Sequence, residues 1–146
     1  MTRTLSLEIV HEVRDTCLCL ASQRAARMLA RRFDRAFQPV GITNGQYSLM
    51  MALNAPQPMK LGQLANFLAM DRTTLTAALK SLERRGLVVV GSDEKDRRTR
   101  LMSLTQAGRD KLEAAIPIWC AEHAALDAEL SITEARNLRA ALGRLG

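Results

Sequence analysis

The stretch from Leu61 to Gly108 constrains this chain more than any other segment; it reads LGQLANFLAMDRTTLTAALKSLERRGLVVVGSDEKDRRTRLMSLTQAG. Gly62 to Ala69 forms a short helical pattern with Leu64, Ala65 and Leu68 on its inner side. Met70-Asp71 makes a turn. Asp71 is a good N-cap for the next helix, on which Leu75, Ala78, Leu79 and Leu82 fall at i, i+3, i+4 and i+7. Gly86 closes that helix. Leu87 to Val90 then reads as a strand, Gly91 to Arg97 as a turn and Arg98 to Leu104 as the returning strand, before Thr105 caps a further helix. Helix, turn, helix, hairpin and capped helix in this order describe a winged helix-turn-helix, whose second helix fits the major groove of DNA.

The flanks read as helix. From about Leu5 to Phe37, the residues Leu5, Ile9, Val13, Leu20, Met28, Phe33 and Phe37 recur at helical spacing with no Pro or Gly between them. That is long for a compact domain, which points to a helix extending to meet a partner chain. Thr43 and Gln46 form a capping box for a helix to about Asn54, and Ser131 and Glu134 form another that opens the last helix. Pro117 is expected to kink the helix that Thr105 opens. The segments Leu5–Val13 and Leu112–Leu145 are apolar on one face, so a homodimer is expected. The expected fold is mainly α with a small β wing. Residues 41–109 form the winged helix-turn-helix, and residues 1–40 and 110–146 form a helical dimerisation region.

Composition agrees with a packed helical core. Five of the 146 residues are aromatic (Phe33, Phe37, Tyr47, Phe67 and Trp119), so Leu, Ala, Val and Met must fill the interior. The formal charge is +6, and 17 of the 21 basic residues are arginine, which suits bidentate contacts to phosphate and guanine. Three cysteines, an odd number, do not suggest a disulfide framework. The start MTRTLSLEIVHEVRD lacks a signal-type apolar core, and no apolar run of about 18 residues spans a membrane. The cytoplasm is the expected location.

The outer face of the second short helix carries Arg72, Thr73, Thr74, Thr76, Ala77, Lys80 and Ser81, with no acid before Glu83. A merely solvated face would carry Glu and Lys. Hydroxyls can bond to phosphates or bases, and a threonine methyl can touch a thymine methyl. Arg72, Thr73, Thr74, Thr76 and Lys80 are therefore the candidate recognition residues, while Arg84 and Arg85 lie at the far end, placed for the DNA backbone. At the hairpin tip, Arg97, Arg98 and Arg100 are the candidate wing contacts to the minor groove, with Asp96 placed to fix one guanidinium.

These residues carry a resemblance. Leu64-Ala65, Asp71-Arg72-Thr73-Thr74-Leu75, Leu82-Glu83-Arg84-Arg85-Gly86-Leu87-Val88 and Asp96-Arg97-Arg98-Thr99-Arg100-Leu101 are similar to the multiple-antibiotic-resistance regulator (MarR) family of bacterial transcription factors. So are Ser103-Leu104-Thr105-Gln106-Ala107-Gly108 and the entry Pro39-Val40-Gly41-Ile42-Thr43 with Gln46-Tyr47. The resemblance implies an obligate homodimer reading a pseudopalindrome in double-stranded DNA. It also implies a repressor more often than an activator, released by a small ligand or by thiol oxidation. It places Cys19 at the register of the reactive cysteine of the organic-hydroperoxide-sensing branch, while Phe33 and Asn44 stand where that branch carries tyrosines.

Cys17, Cys19 and Cys120 are the candidate redox residues. On one continuous helix Cys17 and Cys19 would point about 200° apart. Arg14, one turn from Cys17, favours a thiolate, and Asp15, one turn from Cys19, disfavours it. Arg24, Arg27 and Arg31 recur along the first helix and can meet a small anionic or phenolic ligand. Cys120 and His123 offer two metal donors, but His11 is the only other histidine, so no metal and no cofactor is expected. No phosphate loop, Ser-His-Asp pattern or paired carboxylates mark an enzyme. The competing readings are a winged-helix module for protein interaction and a thiol peroxidase.

Overall fold

Local capping decides where the helices begin. In the computed structural model, which describes residues 5–146, Ser6 opens α1 (Leu7–Thr16) by accepting from the Ile9 N–H. Thr43 opens α3 (Asn44–Ala52) with a complete capping box. Asp71, Thr105 and Ser131 each accept an amide of the first turn of α5 (Arg72–Arg84), α6 (Gln106–Leu130) and α7 (Ile132–Gly143). At α4 (Leu61–Leu68) the Lys60 N–H donates to Gln63 Oε1.

The chain divides into two compact units, one ending at Arg32 and the other running from Phe33 to Gly146. The single helix expected from Leu5 to Phe37 is two helices, α1 in the first unit and α2 (Leu18–Ala36), whose last residues belong to the second. Cys17 leaves the helix at φ −75°, ψ 109°, and its Sγ accepts from the Leu20 N–H at 3.4 Å. The thiol takes an amide that the start of a helix otherwise leaves unpaired, so the chain breaks without glycine or proline. α1 has no buried residue, and Leu7, Val10 and Val13 are exposed on it. Residues 1–4 of the expected dimerisation region 1–40 lie outside the described residues.

The second unit holds the core. Leu64 and Ala65 of α4, Leu75, Leu79 and Leu82 of α5, and Leu112 and Ala115 of α6 are buried with Phe33, Phe37, Tyr47 and Met50. Three strands complete it: β1 (Met59–Lys60), β2 (Val88–Ser92) and β3 (Arg100–Leu104), in antiparallel order β1-β3-β2. β2 and β3 form the expected hairpin, with Val88 opposite Leu104 and Ser92 opposite Arg100. The Ala69 turn between α4 and α5 adopts φ 53°, left-handed without a glycine. α6 accommodates Pro117 and continues as α-helix on both sides of it.

One junction ties these parts together. The Thr105 hydroxyl donates to the Gly86 carbonyl at 2.6 Å, the Thr105 N–H donates to the Leu87 carbonyl at 3.1 Å, and the Gly108 N–H donates to the Thr105 hydroxyl at 3.0 Å. A Cβ at Gly108 would collide with the Leu87 carbonyl oxygen, so α6 can lie this close only where a side chain is missing. Gly108→Ala is expected to cost about 2–3 kcal/mol, because the clash is with backbone and one bond to Leu87 is lost. Thermal unfolding should show a midpoint lower by roughly 4–10 °C; an unchanged midpoint would refute the close approach.

Candidate nucleic-acid interface

The recognition helix, α5, starts from a pinned first turn. Asp71 Oδ1 accepts from the Thr74 N–H at 2.8 Å and Oδ2 from the Thr74 hydroxyl at 2.7 Å. These bonds hold the exposed Asp71 carboxyl below its ordinary 3.8, the backbone bond contributing most. The Thr76 hydroxyl donates to the Arg72 carbonyl at 2.7 Å. Thr74 and Thr76 thus use their protons within the helix and keep oxygen lone pairs to offer outward. Thr73 and Lys80 are exposed, and neither makes a side-chain hydrogen bond among the described residues.

Arg72 turns back across the start of α4, its Nη2 only 3.1 Å from where a Gly62 Cβ would stand. There it enters a cleft of about 550 Å³, lined by Lys60, Gly62, Gln63, Asn66, Arg72, Arg98, Thr99 and Arg100. Four cations and no acid line this cleft. Lys60, Gln63 and Asn66 were not among the sequence candidates; their place before and within α4, a polar face with no acid, is the signal that could have found them. The two-residue β1 brings Lys60 to the cleft by pairing it with Leu101 of the wing.

At the wing tip Asp96 acts on the backbone rather than on a guanidinium. Its Oδ1 accepts from the Arg98 N–H at 3.1 Å and its Oδ2 from the Thr99 hydroxyl at 3.1 Å. The loop closes through the Asp93 N–H to the Thr99 carbonyl at 3.0 Å. Arg97, Arg98 and Arg100 are exposed, and among the described residues none of them forms an ion pair. Arg72 of the recognition helix thus shares the acid-free cleft with Arg98 and Arg100 of the wing, and Thr76 and Lys80 share a second hollow with Arg100, beside Glu83.

The family model described as "MarR family" matches residues 42–99. The crystal structure of the Mycobacterium tuberculosis transcriptional regulator MosR in complex with DNA is similar at 35% identity and TM-score 0.79, over 88% of this chain and 95% of that one. This chain belongs to the MarR family. The transcriptional repressor CouR, bound to a 23-mer DNA duplex, is similar over 98% of this chain and 99% of that one, at 27% identity and TM-score 0.81. The transcriptional activatory protein BadR of Rhodopseudomonas palustris is 38% identical over 89 residues, 59% of this chain. That match spans about half (51%) of BadR's length. MarR proteins are DNA-binding transcription regulators, not enzymes, and this chain is a winged-helix regulator of that type.

The cysteines stand in three settings. Cys17 is half-buried at the break between α1 and α2, so the opposed directions expected of Cys17 and Cys19 on one helix do not apply. Cys19 is exposed, and its Sγ accepts from Gln23 Nε2 at 3.4 Å; Cys120 is exposed on α6. Arg14, expected to act on Cys17, is bound to its neighbour Asp15 by two bonds of 2.7 and 2.9 Å. Burial, with Cys120 adding, raises the Tyr47 phenol above its ordinary value and keeps it neutral. Asn44 donates to Asp34 Oδ1, and Phe33 lies against His123 at 5.2 Å. Among the described residues no three His, Cys, Asp or Glu side chains gather as a metal site, and no helix is long and apolar enough to cross a membrane.

Because folding lowers the Asp71 value, its contribution to stability is fully present above the ordinary carboxylate range and is lost as pH falls through the lower folded value. Asn at this position keeps a cap but not the charge. Denaturant unfolding should find wild type more stable than Asp71→Asn at neutral pH, with the gap closing below about pH 4. A gap that stays constant with pH would contradict the carboxylate's part in the cap.

Proposed function

We propose that this chain is a cytoplasmic, homodimeric transcriptional repressor that binds a pseudopalindromic operator and is released by a small anionic or phenolic ligand or by thiol oxidation. One observation carries the reading. The exposed side of α5, the cleft beside it and the wing present Lys60, Arg72, Lys80, Arg97, Arg98 and Arg100 with no ion pair among them. Cations left unneutralised by the protein itself suit a partner that is a polyanion.

Thr73, Thr74, Thr76 and Lys80 take bases or adjacent phosphates in the major groove, with Arg72 beside them. Arg97, Arg98 and Arg100 reach the minor groove, on a tip whose backbone Asp96 holds. Residues 41–109 are the reading unit, and residues 1–40 and 110–146 the dimerisation region. The exposed Leu7, Val10 and Val13 of α1, and Ile132, Leu138 and Leu142 of α7, support that assignment. Two-fold symmetry then sets half-sites about one helical turn apart. Repression needs only occupancy of a promoter, which such a dimer supplies. Cys17, Cys19 and Cys120 are the thiols available for oxidative release, and Arg24, Arg27 and Arg31 the cations available to an anionic ligand.

Selection from a randomised duplex pool, followed by titration of the enriched duplex against salt, tests this. Binding should fall steeply, with a log–log slope near −0.9 per phosphate neutralised. Arg98→Ala should weaken binding by about tenfold or more. Lys60→Gln should lower the slope by about 0.9. A shallow slope without sequence preference would replace this reading with a protein-interaction module. Peroxide turnover with a reductant would instead favour a peroxidase, since a regulator reacts once and stops.

A further inference from the structure

The sequence carries two adjacent arginines at the end of the recognition helix, and the structure gives them different surroundings. Arg84 is exposed, and its side chain makes no hydrogen bond among the described residues. Arg85 is the C-cap residue of α5, and its side chain reaches 39 and 44 residues back along the chain. Nη2 donates to the Gly41 carbonyl at 2.7 Å, and Nη1 donates to Gln46 Oε1 at 3.2 Å. We propose that Arg85 is a positioning residue, which sets the angle of the recognition helix by clamping its end to the corner between α2 and α3, and that it does so without contacting DNA. This inference rests on the DNA-reading role proposed above.

The corner is built to receive it. Gly41 adopts φ 69°, a left-handed conformation in which its N–H donates to the Gln38 and Phe37 carbonyls, and its own carbonyl takes Arg85. Gln46 Oε1 already accepts from the Thr43 N–H at 3.0 Å in the capping box, and Arg85 supplies its second donor. Asp34 Oδ1, from the end of α2, accepts from both the backbone and the side-chain nitrogen of Asn44, at 2.7 and 2.9 Å. Each acceptor in this corner is therefore held by a local bond before Arg85 reaches it. A planar fork fits two fixed oxygens at once, and a lysine ammonium on a flexible stem does not hold both in one orientation. Since the guanidinium belongs to the residue that caps the helix C-terminus, losing the clamp frees that end to pivot on Leu75, Leu79 and Leu82. The core stays in place, but the exposed threonines lose their register with the base edges.

A phosphate contact and a positioning clamp differ in their response to salt. With a duplex selected by the wild-type protein, Arg85→Gln should weaken specific binding about tenfold. It should leave both the salt slope and the affinity for an unrelated duplex unchanged. Arg85→Lys should recover part of the loss. In a double-mutant cycle, Arg85→Gln and Gln46→Ala should together lose less than the sum of their separate losses. A slope smaller by about 0.9 in Arg85→Gln would mean a phosphate contact and overturn the proposal. So would unchanged specific binding, strict additivity in the cycle, or an equal loss on specific and unrelated duplexes, the mark of general unfolding. If the wild-type chain enriches no duplex, the DNA-reading role itself falls and takes this inference with it. A wild type that binds, beside an unaffected Arg85→Gln, sinks this inference alone.

Discussion

The end of α5, the hairpin and α6 are held together by the contact between the Gly86–Leu87 carbonyls and the first turn of α6. Three consecutive functions meet there: the end of the recognition helix, the first residues of the hairpin, and the start of the long helix that leads away. Thr105 serves two of them at once, capping α6 with its hydroxyl oxygen and returning that hydroxyl's proton to Gly86. Gly108 lets the helix lie close enough for both bonds to form. With Leu82, Leu87, Leu104 and Leu112 buried in the same core, the wing and the recognition helix have little freedom to move apart.

Four acids of this side accept from the protein's own amides and hydroxyls, while the exposed Glu94 at the hairpin tip makes no side-chain hydrogen bond among the described residues. Asp71 is taken up by Thr74, Asp96 by Arg98 and Thr99, Asp93 by the Lys95 N–H, and Glu83 by the Val90 N–H at 3.2 Å. Each of these bonds rigidifies a turn or joins the helix to the hairpin. None of them neutralises an arginine. A surface on which these four acids brace the backbone and the cations stay unpaired is preorganised for an external anion, since little side-chain order has to be undone on binding.

What the sequence made legible was local. The Thr43–Gln46 box and the Asp71, Thr105 and Ser131 caps were readable because a cap and the amide it takes lie within three residues of each other, and the stripe Leu75, Leu79, Leu82 because helical period alone determines it. Four features escaped for physical reasons. Cys17 breaks a helix with a thiol, where chain breaks are normally signalled by glycine or proline. β1 is two residues long and exists only because β3 lies beside it. Arg85 looked like a phosphate ligand because its partners, Gly41 and Gln46, are near it only in the folded chain. Asp96 was expected to grip a guanidinium, yet an amide two residues away and a hydroxyl three away reach it first.

The rings of the second unit have a bearing on how this molecule can be observed. Tyr47 stacks on Phe37 at 4.8 Å, Phe37 lies 5.9 Å from Phe33, and Phe33 and Trp119 flank His123 at 5.2 and 4.3 Å. Trp119 is the sole tryptophan of the chain, and it stands partly in solvent with an imidazole against its face. Indole emission is sensitive to the polarity and proton state of whatever touches the ring. The molecule thus contains a built-in fluorophore whose colour and brightness report, without any attached dye, on the seam joining the end of α2 to the middle of α6.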